Sequence, residues 1–114
     1  MKFIVSGKNM EITDALKDRA IRKVGKLDKF FNPDTEAHIT MSVEKNRHIL
    51  EITIPFNGIV LRAEVANDDM YSSLDKAIDI LEKQINRNKS RLEKRLREGA
   101  FRIEHGETAP QLQE

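Results

Sequence analysis

Cysteine is absent from this chain, which excludes disulfides, thiolate catalysis and Cys-ligated zinc. Tryptophan is absent as well. One Tyr and five Phe in 114 residues are a thin supply of the exposed aromatic platforms on which single-stranded nucleic acid stacks. No apolar run approaches the roughly 20 residues of a membrane span. The stretch Met1 to Lys8 reads as too short and too quickly interrupted for a signal peptide. There is no Gly-rich phosphate loop and no Ser/His/Asp or Cys/His arrangement. His38, His48 and His105 have no metal-ligand spacing, and Asp68-Asp69 reads as a helix cap rather than an acid/base pair. These absences lead to the expectation of a soluble, cytoplasmic protein with no catalytic residues, no metal and no cofactor. A net charge is almost absent too: 20 basic residues face 19 acidic ones. Bulk composition therefore hides any charge pattern.

What is present reads as one domain with a modest core, from 39% hydrophobic and 34% charged residues. Residues 2–7 form a short apolar strand that stops at a turn over Gly7 to Met10. Thr13 is a helix N-cap, with Asp14 in the first turn. Leu16, Ala20, Val24, Leu27 and Phe31 then recur at helical spacing, and Asn32-Pro33-Asp34 ends the helix. Gly25 costs that helix roughly 1 kcal/mol relative to Ala, so it is expected to serve close packing or close approach of a partner. Beyond Pro33 the period changes to two. Ala37, Ile39, Met41 and Val43, then Leu50, Ile52, Ile54 and Phe56, then Ile59, Leu61, Ala63 and Val65 mark three half-buried strands. Asn57-Gly58 is a hairpin turn, and Asn46-Arg47 or a neighbouring pair makes the preceding one. Pro55 must face an edge or a bulge because it has no N–H. Asp69 caps a second helix over 70–98 whose apolar face holds Leu74, Ala77, Ile78, Leu81, Ile85, Leu92 and Leu96. The predicted fold is α+β: a two-layer sandwich of order β-α-β-β-β-α, with a four-stranded, mostly antiparallel sheet and both helices on one face. Residues 1–98 form the domain, and 99–114 read as a flexible tail or linker.

Charge is sorted along both helices. In the second, Lys76, Lys83, Arg87 and Lys94 project within about 40° of one another, roughly opposite the core, with Arg91 beside them. In the first, Arg19, Arg22, Lys26 and Lys29 share an arc, and Asp14, Asp18 and Asp28 share another. A helix of 29 residues runs about 43 Å, past the roughly 33 Å of a ten-residue strand, and its far end is strongly basic. Such a surface suits a polyanion such as structured RNA, with counterion release making the binding salt-sensitive. A solvated face or a protein-binding surface is the competing reading of the same stripes. Phe30 and Phe31 read as core and cap packing. Tyr71 reads either as an RNA contact at the helix start or as packing on the sheet.

Four segments resemble one family. Gly7-Lys8-Asn9-Met10-Glu11-Ile12-Thr13-Asp14-Ala15-Leu16 is similar to the first strand-to-helix junction of the bacterial ribosome hibernation factors. Lys23-Val24-Gly25-Lys26-Leu27-Asp28-Lys29-Phe30-Phe31 resembles the basic end of their first helix. Asp69-Met70-Tyr71-Ser72-Ser73-Leu74-Asp75 and Leu81-Glu82-Lys83-Gln84-Ile85-Asn86-Arg87-Asn88-Lys89 resemble two parts of their second helix. The resemblance covers residues 1–98 and implies a fold similar to double-stranded RNA-binding domains. It implies a non-enzymatic domain that binds 16S rRNA of the 30S subunit or 70S ribosome near the decoding region. There it would block mRNA and tRNA sterically. By position it matches Lys23, Lys26, Lys29, Lys83, Arg87, Lys89 and Arg91 to basic positions of the family, and with Arg22 and Lys94 of the stripes these are the expected rRNA-binding residues. Ser73 stands where the family has Ala, which reads as packing variation. Long hibernation factors pair ribosomes through a further C-terminal domain, and residues 99–114 do not resemble it. The basic end of the second helix looks more like the long forms, so a domain of a long factor is expected, with a short factor as the alternative. A general double-stranded RNA-binding or protein-interaction module is the alternative function.

Overall fold

The alternating residues of 36–67 form consecutive strands β2 (Glu36–Glu44), β3 (Arg47–Phe56) and β4 (Ile59–Asn67). Before them stand β1 (Lys2–Lys8) and α1 (Asp14–Gly25), and after them α2 (Met70–Glu98). The computed structural model describes the backbone of residues 1–98 and the side chains of residues 1–89. The expected tail, 99–114, lies outside the described residues. The sheet order is β1-β2-β3-β4. β1 runs parallel to β2, as an intervening helix requires, and the remaining neighbours are antiparallel.

One face of the sheet carries the core. Ala37, Ile39, Met41, Leu50, Ile52, Ile54, Leu61 and Ala63 are buried with Leu16, Ala20 and Val24 of α1 and Leu74, Ala77, Leu81 and Ile85 of α2. Both helices therefore cover the same face, as the period-two alternation requires. The opposite face is polar: Arg62 of β4 bonds Glu51 at 2.7 Å and Glu64 at 3.1 Å. The Arg62 hydrogen bond holds the Glu51 carboxyl below its ordinary range.

Two turns are set by backbone sign. Asn57 and Gly58 both take positive φ, 50° and 86°, as a two-residue type I′ hairpin demands. The β2–β3 turn falls on Lys45-Asn46, with Lys45 at φ 48°. Gly7 is required for a different reason. A Cβ there would lie 2.6 Å from the Met10 carbonyl oxygen, so the chain could not fold back after β1.

Pro55 lies in an internal strand, yet its missing N–H costs no ladder bond. Arg62 turns both backbone groups away from β3 toward Gln84. By alternation, the Val60–Pro55 pair two residues on is likewise unbonded, and Pro55 faces the β2 side. The β2–β3 pairing has already ended there at His38–Thr53.

The first helix is shorter than its periodicity predicts. α1 ends at Gly25, and Asp28–Phe30 form a 3₁₀ turn. Lys26 and Leu27 N–H groups donate to Lys23 and Val24 carbonyls three residues back, which tightens the chain. The rewinding carries Leu27 and Phe31 into the core, where the Phe31 ring meets Phe56 edge-on at 5.4 Å between centroids. Ile59, expected to face inward, is 43% exposed at the hairpin tip.

Candidate nucleic-acid interface

The geometry of the basic stripes follows from how the helices lie. Arg19 sits over the Tyr71 ring at 5.1 Å, and Lys23 pairs with Asp75 at 2.9 Å. Farther along, Lys29 and Lys89 both approach the Phe30 ring, at 5.2 and 5.7 Å from its centre. Positions rise together along both elements, so α1 and α2 run side by side in the same direction. The basic end of α1 and the turn after it therefore lie against Glu82 to Lys89 of α2. A cleft between them is lined by Lys26, Leu27, Lys29, Phe30, Glu82 and Asn86.

The start of α2 is fixed by its cap. The Asp69 carboxylate accepts from the Ser72 N–H and hydroxyl, both at 3.1 Å, and from the Tyr71 N–H at 3.3 Å. Burial works to raise the Asp69 pKa, but these hydrogen bonds outweigh it and hold the group below its ordinary value. Ser73 is fully buried, and its single hydroxyl proton is shared between the His48 carbonyl of β3 and the Asp69 carbonyl, each 3.2 Å away. The residue read as packing variation is thus a polar tie between α2 and the sheet. At the other helix, the Thr13 hydroxyl accepts from the Leu16 N–H at 3.1 Å.

The predicted binding residues divide into three groups. Arg22, Lys26, Lys29, Lys83, Arg87 and Lys89 are exposed, and none makes a carboxylate pair among the described residues. Lys23 is half-buried and held by Asp75, which bridges α1 to α2. Arg91 and Lys94 are on α2, but their side chains lie outside the described residues. Arg19, part of the first stripe, lies over the Tyr71 ring as Lys29 and Lys89 lie over Phe30, and keeps its charge. Tyr71 is 39% exposed, and its ring lies beneath that guanidinium. Phe30 was read only as packing. Its flanking Lys29 and its position one residue before a core Phe were the only signals that it would support cations from both elements.

A family model described as Sigma 54 modulation protein / S30EA ribosomal protein matches residues 3–93. The chain is 37% identical over 101 residues to a ribosome hibernation promotion factor of Bacillus subtilis, covering 86% of this chain and 53% of that protein. It is 40% identical over 100 residues to one of Lactococcus lactis, covering 85% and 54%. The chain thus spans about half the length of the curated relatives it matches. Among solved structures, the Protein Y N-terminal domain of Thermus thermophilus aligns with a TM-score of 0.70 at 32% identity, over 76% of this chain and 98% of that one. A ribosomal subunit interface protein from Coxiella burnetii aligns with a TM-score of 0.71 at 23% identity, over 79% and 99%, a likeness of fold.

Proposed function

The chain belongs to the Sigma 54 modulation protein / S30EA ribosomal protein family, and from that premise we propose that it is a ribosome hibernation domain that binds the small ribosomal subunit. Its partner surface is 16S rRNA around the decoding region, where the bound domain occupies the space of mRNA and tRNA. Translation is silenced by occupancy, and no bond is made or broken. Arg22, Lys26, Lys29, Lys83, Arg87 and Lys89 face the phosphates, and Arg91 and Lys94 extend the row along α2. Lys23 acts through Asp75, as a strut that keeps the two helices in register.

The observation that carries this reading is the side-by-side, same-direction packing of α1 and α2. It brings Lys29 and Lys89, one cation from each row, to a single ring, Phe30, and neither is paired with a carboxylate among the described residues. On the opposite sheet face Arg62 is already neutralised by Glu51 and Glu64. An RNA surface needs the first arrangement. Simple solubility would be served equally well by pairing the charges within each helix.

Cosedimentation tests the proposal. The domain is expected to pellet with small subunits and whole ribosomes at low salt, to be released as salt rises, and to compete with tRNA and mRNA. Equal affinity for any RNA duplex would instead favour a general double-stranded RNA-binding module. Loss of all RNA binding at low salt would overturn both.

A further inference from the structure

β4 ends the sheet, and among the described residues no strand pairs with its outer side. Such an edge is ordinarily blunted by Pro, a bulge, charged side chains or a covering helix. β4 has no Pro, and its register to β3 is unbroken from Ile59 to Asn67, so its protection rests on Arg62, Glu64 and what α2 lays along it. Its two charges, Arg62 and Glu64, are opposite in sign. Val60, near the hairpin tip, is 65% exposed.

One side chain stands where a neighbouring strand would be. The Arg62 N–H donates to Gln84 Oε1 at 3.1 Å, and Gln84 Nε2 donates to the Arg62 carbonyl at 2.8 Å. This is the pair of bonds that an antiparallel partner strand makes to one residue. Alternation along β4 points the backbone groups of Val60, Glu64 and Ala66 to the same outer side.

We propose that the β4 edge is a pairing surface for a second copy of this chain and that Gln84 holds it closed. The edge is self-complementary about Ala63. In an antiparallel pair centred there, Arg62 of each copy lies opposite Glu64 of the other. Leu61 lies opposite Val65, and Val60 opposite Ala66. Arg62 and Glu64 both direct their backbone groups outward, so this register forms hydrogen bonds, and it sets Arg62, already bound to Glu51 and Glu64 of its own chain, beside Glu64 of the other copy. The side-chain amide of Gln84 takes the central bonds of that ladder for itself. The inference is independent of the ribosome reading.

Sedimentation velocity over a concentration series tests it with Gln84→Met, which keeps length and helix propensity but has no polar atoms, and with Gln84→Ala. The wild type is expected to stay monomeric while both variants self-associate at least tenfold more tightly. Adding Glu64→Lys, which sets like charges opposite each other, is expected to restore the monomer. Exchange of the Arg62 amide is expected to quicken in the monomeric variants and slow again on association. The proposal is overturned if the folded variants remain monomeric to millimolar concentration, if the wild type associates equally well, or if Glu64→Lys leaves the dimer intact. Failure of both variants to fold would make Gln84 a packing residue and overturn it as well.

Discussion

A lysine serves a polyanion only if no carboxylate already holds it, and this separates residues that look alike in sequence. Lys26 is exposed and lines the cleft between the helices, whereas Lys23, three positions earlier, is bound to Asp75. Lys26→Ala is expected to weaken ribosome binding and to lower the salt slope of log affinity by about 1, with the melting temperature unchanged. Lys23→Ala is expected to do the reverse: a stability loss of up to about 1 kcal/mol by urea denaturation, with the salt slope unchanged. Ser73 makes a similar point for the core. Its hydroxyl is fully buried and supplies the His48 carbonyl with a hydrogen bond. Ser73→Ala is expected to cost about 1 kcal/mol in the same measurement, the worth of one buried hydrogen bond. Neither pairing was legible from the residues alone. Asp75 and His48 are remote from their partners in sequence, and only the folded chain brings them within 2.9 and 3.2 Å.

At the scale of elements, the two helices end and begin for different reasons. Gly25 closes α1, but a Cβ there would meet only Phe3 Cζ at 3.7 Å, an ordinary contact. Packing on the sheet therefore does not demand glycine. Gly25→Ala is expected to raise stability by roughly 0.4–1 kcal/mol through the unfolded chain. Unchanged ribosome affinity in that variant would show that no partner needs the space either. The helix break itself was hidden in the sequence because Leu27 and Phe31 still fit a 3.6 period after Val24. A glycine costing roughly 1 kcal/mol leaves the choice to tertiary contacts, here the burial of Leu27 and Phe31. At α2 the capping carboxylate of Asp69 has a pKa below its unfolded value. Its contribution is thus fully present above the unfolded pKa of about 3.9 and is lost as pH falls through the lower folded value. The stability difference between wild type and Asp69→Asn, followed by circular dichroism in urea, is expected to be constant above about pH 5 and to change as the pH drops below about 4. Comparison with Asn isolates this group from Glu51, whose lowered pKa acts in the same direction.

Across the whole molecule, the decisive arrangement is the common direction of α1 and α2. It brings the basic end of α1 to Lys89 of α2 around Phe30 and leaves the far sheet face with its own paired charges. Charge reversal at Lys83 and Arg87 together is expected to abolish ribosome cosedimentation while stability shifts by no more than about 0.5 kcal/mol, since both side chains are exposed and have no carboxylate partner among the described residues. The architecture needed no coordinates to foresee. The period changed from 3.6 to 2 after Pro33, Asn57-Gly58 marked a hairpin, and Thr13 and Asp69 marked helix starts. Each is a local constraint written in adjacent residues, so the sequence by itself determined the elements, their order, the buried face of the sheet and the two basic rows. Only the tertiary structure decided where α1 stops, which cations are already neutralised, that Lys29 and Lys89 meet at Phe30, and that Gln84 bonds the Arg62 backbone. Those outcomes depend on contacts between residues far apart in the chain. Their energies are fractions of those that bury the core, so no local pattern records them.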